Sequence, residues 1–198
     1  MSFTLTRVVA LVLLCAPTLC AQSPSVSQSS SNLQSSSNLW IDVPFVAQPR
    51  DGCGAASLSM VMQYWAAQAG GHPQPGADVA VIQRQLYSAA DHGIPASSMV
   101  NYLRQRGFVA LAFSGNWSDL ERQIGKGRPL IAALRPQGQS QLHYVVIDGI
   151  DDTGSGLVMM NDPAGRKLLT QERAAFEKDW SATHNWVLLA VPAAANSR

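Results

Sequence analysis

The spacing of apolar and polar residues divides the chain into a helical first part and a strand-rich second part. From 55 to 68, apolar side chains recur at the spacing of an amphipathic helix, and the Gly-Gly pair at 70–71 ends it. The same spacing predicts three further helices, at 78–89, 97–106 and 117–125. In the last of them, Ser118 and Glu121 form a capping-box pattern at the helix start.

The second part of the chain is dominated by short apolar runs that are typical of strands. These runs span 129–134, 142–150, 157–160 and 186–191, with a short helix near 171–180 before the last of them. A further short strand is predicted at 41–47, where Pro44 indicates an edge position. Because the helices precede the strands instead of alternating with them, we expect an α+β fold whose helical half packs on an antiparallel sheet.

Residues 1–21 have the pattern of a secretory signal peptide. Arg7 precedes an apolar run at 8–14, and Leu19-Cys20-Ala21 provides a cleavage site. The run is too short for a membrane-spanning helix. We therefore expect export to the periplasm or the extracellular space, with no integral membrane domain in the mature chain. An uncleaved anchor and a lipid anchor on Cys20 are alternatives, and Leu19 disfavours the latter because lipoprotein processing prefers a small residue there.

Residues 22–39 are almost entirely Ser, Gln and Asn, with too few apolar side chains to offset the entropy of ordering. We expect a disordered Ser-rich tether there and a single folded domain at 40–195.

Composition excludes several classes of function. The chain has 198 residues, 46% of them hydrophobic, and a mean hydropathy of +0.02, which indicates neither a membrane bundle nor a disordered protein. The net charge of +1 and the lack of a basic stripe argue against nucleic acid as a partner. Gly125-Lys126 lacks the rest of a phosphate-binding loop, so no nucleotide is expected. No zinc-type spacing surrounds Cys53, and we expect neither a metal nor another cofactor.

Cys53 is the first candidate for chemistry. Cleavage after Ala21 would leave it as the one cysteine of the mature chain, unable to form an internal disulfide. It directly precedes the first predicted helix, where unpaired N–H groups and the helix dipole favour a thiolate. Gly54, which has no side chain, is expected to leave room for a substrate backbone. The alternative interpretation is a buried, inert cysteine.

His143 is the candidate general base because it opens the apolar run at 142–150. The other histidines lie in loops or turns, at His72, His92 and His184. A histidine on an apolar strand is often a core residue, so its interpretation depends on what lies opposite it.

The turn signal at 151–156 places a carboxylate near His143. If Ile150 faces Ser155 or Gly156 across that turn, His143 falls beside Asp162 or Pro163. An imidazole and a carboxylate on one face could then form two members of a catalytic triad. An Asp-Pro turn residue is the alternative interpretation of Asp162.

Gln48 is the candidate oxyanion donor. Its side-chain amide and the backbone N–H of Cys53 would supply the two donors that acyl transfer requires. By itself the residue would be taken for a solvent-facing loop glutamine, and Cys53 and His143 are what favour the catalytic interpretation.

In this order, the residues resemble the C39 and C39-like peptidases, which are papain-like cysteine peptidases best known as bacteriocin leader-processing domains. The matching segments are 43–48, 53–58, 127–130, 143–146 and 161–165, within the range 40–190. The resemblance implies a papain-like fold in which Cys53 is the nucleophile, His143 the base, Asp162 the residue that orients the base and Gln48 the oxyanion donor. Ala55 stands where many members have Pro, and Gly52 where many have a polar residue, which bears on substrate preference.

The expected function is therefore that of an exported cysteine peptidase acting on a peptide or protein through a thioester intermediate. The resemblance further implies cleavage after small residues, such as a Gly-Gly leader site, and a secretion system or transporter as a candidate partner. Two alternatives remain open. One is an acyltransferase or amidase that uses the same triad, and the other is a catalytically silent peptide-binding module.

Overall fold

The computed structural model describes residues 38–72 and 74–193. The helices are α1 (Cys53–Gln68), α2 (Val79–Leu86), α3 (Ala96–Gln105), α4 (Trp117–Ile124) and α5 (Arg173–Ser181). The strands are β1 (Asn38–Trp40), β2 (Phe108–Ser114), β3 (Leu130–Leu134), β4 (His143–Asp151), β5 (Leu157–Asn161), β6 (Leu169–Glu172) and β7 (Trp186–Pro192).

The predicted signal peptide and most of the predicted tether lie outside the described residues. Asn38 and Leu39, which the sequence assigns to the tether, instead belong to β1. No helix within the described part of the chain has the length and apolar character needed to cross a membrane.

The described strands form one antiparallel sheet in the order β2-β7-β3-β4-β5-β6, with β1 paired to β4 outside that path. β3 and β4 lie in the middle and are buried along almost their whole length. Successive side chains of β4 point to opposite faces, as the pleat requires. Val146 therefore joins the core on one face, and Val145 and Ile147 join the core on the other.

Helices cover both faces of the sheet. On one face α1 is buried along most of its length, and Leu58 and Met62 are completely inaccessible. On the other face the core is built from α4 and α5, with Leu120, Phe176 and Trp180 as its large members. Each fully buried aliphatic or aromatic side chain of this kind contributes about 1.5–3 kcal/mol. This packing holds α1 and β4, which carry Cys53 and His143, in one rigid unit.

The first residues of α2 and α4 show which side chains cap these helices. α2 begins where Asp78 accepts a hydrogen bond from the backbone N–H of Val81, at 2.9 Å. α4 has a capping box, but it is formed by Asn116 and Asp119 and not by the predicted Ser118 and Glu121. Asn116 is extended and the helix begins immediately after it, so Ser118 already lies inside the first turn.

One strand prediction was wrong, and two strands were missed. The segment 41–47 contains no strand, and the strand that pairs with β4 lies just before it, at Asn38–Trp40. β2 was not predicted, since its Val109 and Leu111 are apolar yet exposed and hide the alternation of a half-buried strand. β6 was also missed because it is only four residues long and half polar.

The predicted register between β4 and β5 was wrong as well. Ile150 pairs with Val158, not with Ser155 or Gly156, because residues 152–156 form a wider connection than a tight turn. A bulge then interrupts the ladder between Ile147 and Gly149, and the last registered pair is Val146 with Asn161.

Asp148 occupies this bulge and is completely buried. Neither of its carboxylate oxygens has a hydrogen-bond partner within the described chain. Burial raises the pKa of Asp148 to about 7, an effect that its own backbone and Lys167 reduce and Asp42 increases. The bulge therefore holds a carboxyl group that gains its charge near neutral pH.

Candidate active site

A tight turn delivers Cys53 to the start of α1. The backbone N–H of Gly52 donates to the carbonyl oxygen of Pro49 at 2.9 Å, and Asp51 has a φ of 55°. A Cβ atom on Gly52 would lie 2.6 Å from two ring carbons of Pro49. No side chain in the described segments caps this helix, so its N-terminal N–H groups remain available to the Cys53 sulfur.

Cys53 is a free, partly buried cysteine that packs at the edge of the core covered by α1. The adjacent Gly54 is buried, and a Cβ atom there would meet Ile94 at 3.2 Å and Tyr144 at 3.5 Å. The expectation that Gly54 leaves room for a substrate backbone was therefore wrong, because protein side chains occupy that space.

His143 and Asp162 are in direct contact. The Nε2 atom of His143 lies 2.6 Å from Oδ1 of Asp162, and both side chains are about one-fifth exposed, at 23% and 21%. His143 is the first residue of β4, and Asp162 directly follows β5. The backbone N–H of Ala164 donates to the same Oδ1 atom at 2.9 Å, which holds the carboxylate in place.

The electrostatics of the site favour a protonated His143. Burial alone lowers the pKa of His143, but hydrogen bonds to Asp162 and Cys53 and the negative charges of both groups outweigh burial and raise this pKa to about 9. For Asp162, burial raises the pKa, but the hydrogen bond and charge of His143, with the N–H groups of Ala164 and Gly165, lower it overall. The arrangement therefore favours an imidazolium paired with the Asp162 carboxylate.

Gln48 lies on the irregular segment that leads to the turn before α1. Its backbone N–H donates to the carbonyl oxygen of Pro163 at 2.9 Å, which ties this segment to the loop carrying Asp162. Its side-chain Oε1 atom is buried and has no hydrogen-bond partner among the described residues.

Asn161 is a residue whose individual role the sequence did not reveal. Its amide is completely buried and bonds to two separate segments, at Val43 and at Leu168. The signal that pointed to it was its place in the Asn-Asp-Pro run, where only the aspartate was given a role.

A cleft runs past these residues. A cavity of about 340 Å³ opens beside Cys53, with Ile94, Leu142 and Tyr144 in its lining. A second cavity of about 290 Å³ adjoins His143, and Leu142 belongs to both. His92 lines the first cavity, whereas His184 lines a different one.

A larger cavity, of about 510 Å³, lies near the other end of α1 and is lined by Gln63, Ala66 and other residues. Ten residues of helix separate Gln63 from Cys53, which is roughly 15 Å. This cavity does not include the His143–Asp162 pair. Among the described residues, no group of three or more His, Cys, Asp or Glu side chains could hold a metal ion.

A family model and several solved structures match this chain. The family model described as "Peptidase_C39 like family" matches residues 40–187. No curated protein matches the chain.

Three solved structures illustrate the similarity. A protein from Bacillus anthracis described as a C39-like peptidase is 17% identical, with a TM-score of 0.60 over 78% of this chain and 98% of that one. The peptidase domain of Streptococcus ComA, a bifunctional ABC transporter involved in quorum sensing, is 19% identical, with a TM-score of 0.58 over 76% and 99%. A double glycine motif protease from an AMS/PCAT transporter, solved with a leader peptide, is 22% identical, with a TM-score of 0.54 over 77% and 94%.

At these identities the solved structures establish the fold, and they confirm the predicted α+β, papain-like architecture. The family model covers well over half of the chain. The chain therefore belongs to the Peptidase_C39 like family and is a cysteine-type peptidase.

Proposed function

We propose that this protein is an exported peptidase that hydrolyses peptide bonds through Cys53, His143 and Asp162, with Gln48 in the oxyanion site. The observation that carries the proposal is the contact between His143 and Asp162, at 2.6 Å, together with the place of Cys53 at the start of α1, from where it helps to raise the pKa of His143. A nucleophile, a base and a group that orients the base are the three parts that covalent acyl transfer requires.

In the first half of the reaction, the Cys53 thiolate attacks the carbonyl carbon of the scissile bond. The oxygen gains negative charge, which the Gln48 side-chain amide and the Cys53 backbone N–H stabilise. His143, held by Asp162 through Nε2, gives the proton on its other ring nitrogen to the leaving amine. The carbon–nitrogen bond breaks, the amine product departs, and a thioester remains on Cys53.

In the second half, His143 removes a proton from water, and the resulting hydroxide adds to the thioester carbon. Collapse of this intermediate breaks the carbon–sulfur bond and releases the carboxylic acid product. The thiolate and the protonated His143 are restored together, so each turnover consumes one water molecule.

The proposed substrate is a secreted peptide or protein, and a transporter or secretion system is the proposed partner. The structural neighbours support this choice, because one is a domain of an ABC transporter and another was solved with a leader peptide. The apolar wall formed by Ile94, Leu142 and Tyr144 beside Cys53 suits a peptide chain lying in the cleft.

A peptide-library digest tests the proposed reaction. The full chain is incubated with a library of defined peptides, with and without an added amine acceptor, and the products are identified by mass spectrometry. We expect new free carboxyl termini that appear with wild type and not with Cys53→Ala. Products joined to the added amine would instead favour an acyltransferase, and peptides that are bound but not cleaved would favour a binding module.

Export has its own test. Arg7, the apolar run at 8–14 and Ala21 lead us to propose that the mature protein begins at Gln22. N-terminal analysis of protein recovered from the periplasm or medium is expected to find Gln22. An intact Met1 would contradict cleavage, and a diacylglyceryl group on Cys20 would establish the lipid anchor instead.

A further inference from the structure

Asn161, the last residue of β5, is completely buried and uses both ends of its amide. Its Nδ2 atom donates to the carbonyl oxygen of Val43 at 3.0 Å. Its Oδ1 atom accepts from the backbone N–H of Leu168, also at 3.0 Å. One side chain therefore joins three parts of the chain that are distant in sequence.

The first of these bonds fastens the irregular segment 41–48, which carries Gln48. Its other backbone anchors are at its two ends, where Ile41 donates to Asp148 and Gln48 donates to Pro163, both at 2.9 Å. Asn161 supplies a buried side-chain anchor between them, and an exposed ion pair of Asp42 with Lys167, at 2.5 Å, adds a second one. Because Val43 is itself completely buried, losing this bond would leave a buried carbonyl without its partner, which is destabilising.

The second bond closes the loop 162–168, which carries Asp162. Leu168 has a φ of 53°, a left-handed conformation that is costly for a branched side chain and needs support from its surroundings. The bond from Asn161 to its N–H provides that support at the point where the loop returns to β6. Within the loop, the N–H of Asp162 donates to the carbonyl of Arg166 at 3.1 Å.

We infer that Asn161 is a positioning residue for the proposed reaction, because its amide fixes the segment carrying Gln48 and the loop carrying Asp162 at the same time. The inference rests on the proposed function. Loss of the amide lets both segments shift relative to β4, so that the His143–Asp162 contact lengthens and the Gln48 side chain loses its fixed place. Displacements of about 1 Å at a reacting centre can cost on the order of a hundredfold in rate.

A purely structural role would lower stability and leave the chemistry of Cys53 and His143 unchanged, so the test needs readouts of that chemistry. The first readout is the titration of His143, followed by nuclear magnetic resonance in the full chain and assigned with His143→Ala. The second is the rate at which iodoacetamide alkylates Cys53, followed by peptide mapping. Neither readout requires a known substrate.

The variants are Asn161→Ala and a matched control, Ser59→Ala. Ser59 is also completely buried and donates to a distant backbone carbonyl, that of Ala77 at 2.6 Å, and the one other hydrogen-bond partner of its hydroxyl among the described residues is Gln63, which is not a site residue. We expect both variants to lose similar stability. We expect only Asn161→Ala to lower the pKa of His143 from about 9 towards its ordinary value of 6.5 and to slow alkylation at pH 7 about tenfold or more.

Asn161→Asp provides a rescue that does not depend on the stability of the alanine variant. A protonated carboxyl has both a donor and an acceptor, as the amide does, whereas a carboxylate has acceptors only. Its alkylation rate relative to wild type is therefore expected to rise as the pH falls and the introduced carboxyl gains its proton.

Each outcome separates this inference from the proposed function. If Asn161→Ala matches Ser59→Ala in both readouts, or if Asn161→Asp shows no recovery at low pH, Asn161 is not a positioning residue. If wild-type His143 titrates normally and His143→Ala alkylates as fast as wild type, the proposed triad itself fails. A normal wild-type titration with a selective alkylation defect in Asn161→Ala would also overturn the inference, because Asn161 would then affect Cys53 without acting through the His143–Asp162 pair.

Discussion

The Nε2 atom of His143 lies 2.6 Å from Oδ1 of Asp162, although the two residues are not opposite one another in the β4–β5 ladder. The last registered pair of that ladder is Val146 with Asn161, so His143 continues along β4 past the end of β5. Asp162 reaches it because the chain turns immediately after β5, where Ala164 and Gly165 bond back to the aspartate. The contact is thus created by the loop that follows β5, and the geometry of that loop sets the orientation of the His143 imidazole.

The first prediction concerns the orienting carboxylate. Asp162→Asn should lower the rate of peptide hydrolysis, but by less than Cys53→Ser or His143→Ala, because an amide oxygen can still accept a bond from the imidazole. Asp152→Asn is the control, since Asp152 is an exposed aspartate on the β4–β5 connection. An Asp162→Asn enzyme as inactive as His143→Ala would show that the negative charge, and not orientation, is what Asp162 contributes.

The same variant has a pH signature. In wild type, the protonated form of His143 is lost as the pH rises through about 9. Over that range, the alkylation rates of Cys53 in wild type and in His143→Ala should converge. Because this pKa lies above the ordinary 6.5, the pair also stabilises the fold below pH 6.5, and this stability is lost as the pH rises through about 9. Asp162→Asn removes the carboxylate charge, so both transitions should move to lower pH.

The second prediction concerns the turn that delivers the nucleophile. Gly52→Ala should shift Cys53, because the new Cβ atom would lie 2.6 Å from the Pro49 ring and 2.8 Å from its carbonyl oxygen. We expect slower alkylation of Cys53 and a lower free energy of unfolding. Gly107→Ala is the control, because it meets no atom within 4 Å and costs only the roughly 1–2 kcal/mol of a left-handed backbone.

Equal alkylation rates for the Gly52 and Gly107 variants would contradict the view that the turn 49–52 sets the position of Cys53. Unfolding in urea, measured alongside, separates a general loss of stability from a local displacement.

Local patterns in the sequence predicted the long elements better than the short strands. α1, predicted at 55–68, begins at Cys53, and β4, predicted at 142–150, spans His143–Asp151. Both were found because helix periodicity and long buried strands produce local patterns. The His143–Asp162 contact was expected, but the register used to derive it was wrong by two to three residues. The wider connection at 152–156 and the bulge at Asp148 depend on tertiary packing that no local pattern encodes.

The missed features have a common physical origin. The segment 41–48 is held by bonds to Asp148, Asn161 and Pro163, all more than a hundred residues away. Gly54 is needed for packing against Ile94 and Tyr144, which lie on other elements. Such long-range contacts depend on isolated residues, which produce no periodic pattern in the sequence.

The third prediction concerns the buried Asp148. Its raised pKa, about 7 against an ordinary 3.8, means that the folded state favours the protonated carboxyl. The associated stability is fully present below about pH 3.8 and is lost as the pH rises through about 7. Asp148→Asn should therefore have a higher free energy of unfolding than wild type at pH 8, by up to about 4 kcal/mol, and should unfold at higher urea concentrations.

The advantage of Asp148→Asn should shrink steadily as the pH falls from 7 to 4. Asp152→Asn, at an exposed position, should show no such pH dependence of its stability difference. A stability gap for Asp148→Asn that stays constant across this range would mean that Asp148 is ionised throughout, with Lys167 outweighing the effect of burial.

The fourth prediction concerns the nucleophile itself. The most direct measurement is the intact mass of the mature protein, from which the segment with Cys15 and Cys20 has been removed, after treatment with a peptidyl chloromethyl ketone, in which the thiolate displaces chloride and forms a stable thioether. We expect wild type to gain one peptide adduct, located at Cys53 by peptide mapping, and His143→Ala to react at least about tenfold more slowly because its thiol has lost its base. Cys53→Ser should remain folded and gain no adduct at position 53. A wild-type protein that is not modified at Cys53, or a Cys53→Ser variant that still cleaves peptides at the wild-type rate, would contradict the mechanism.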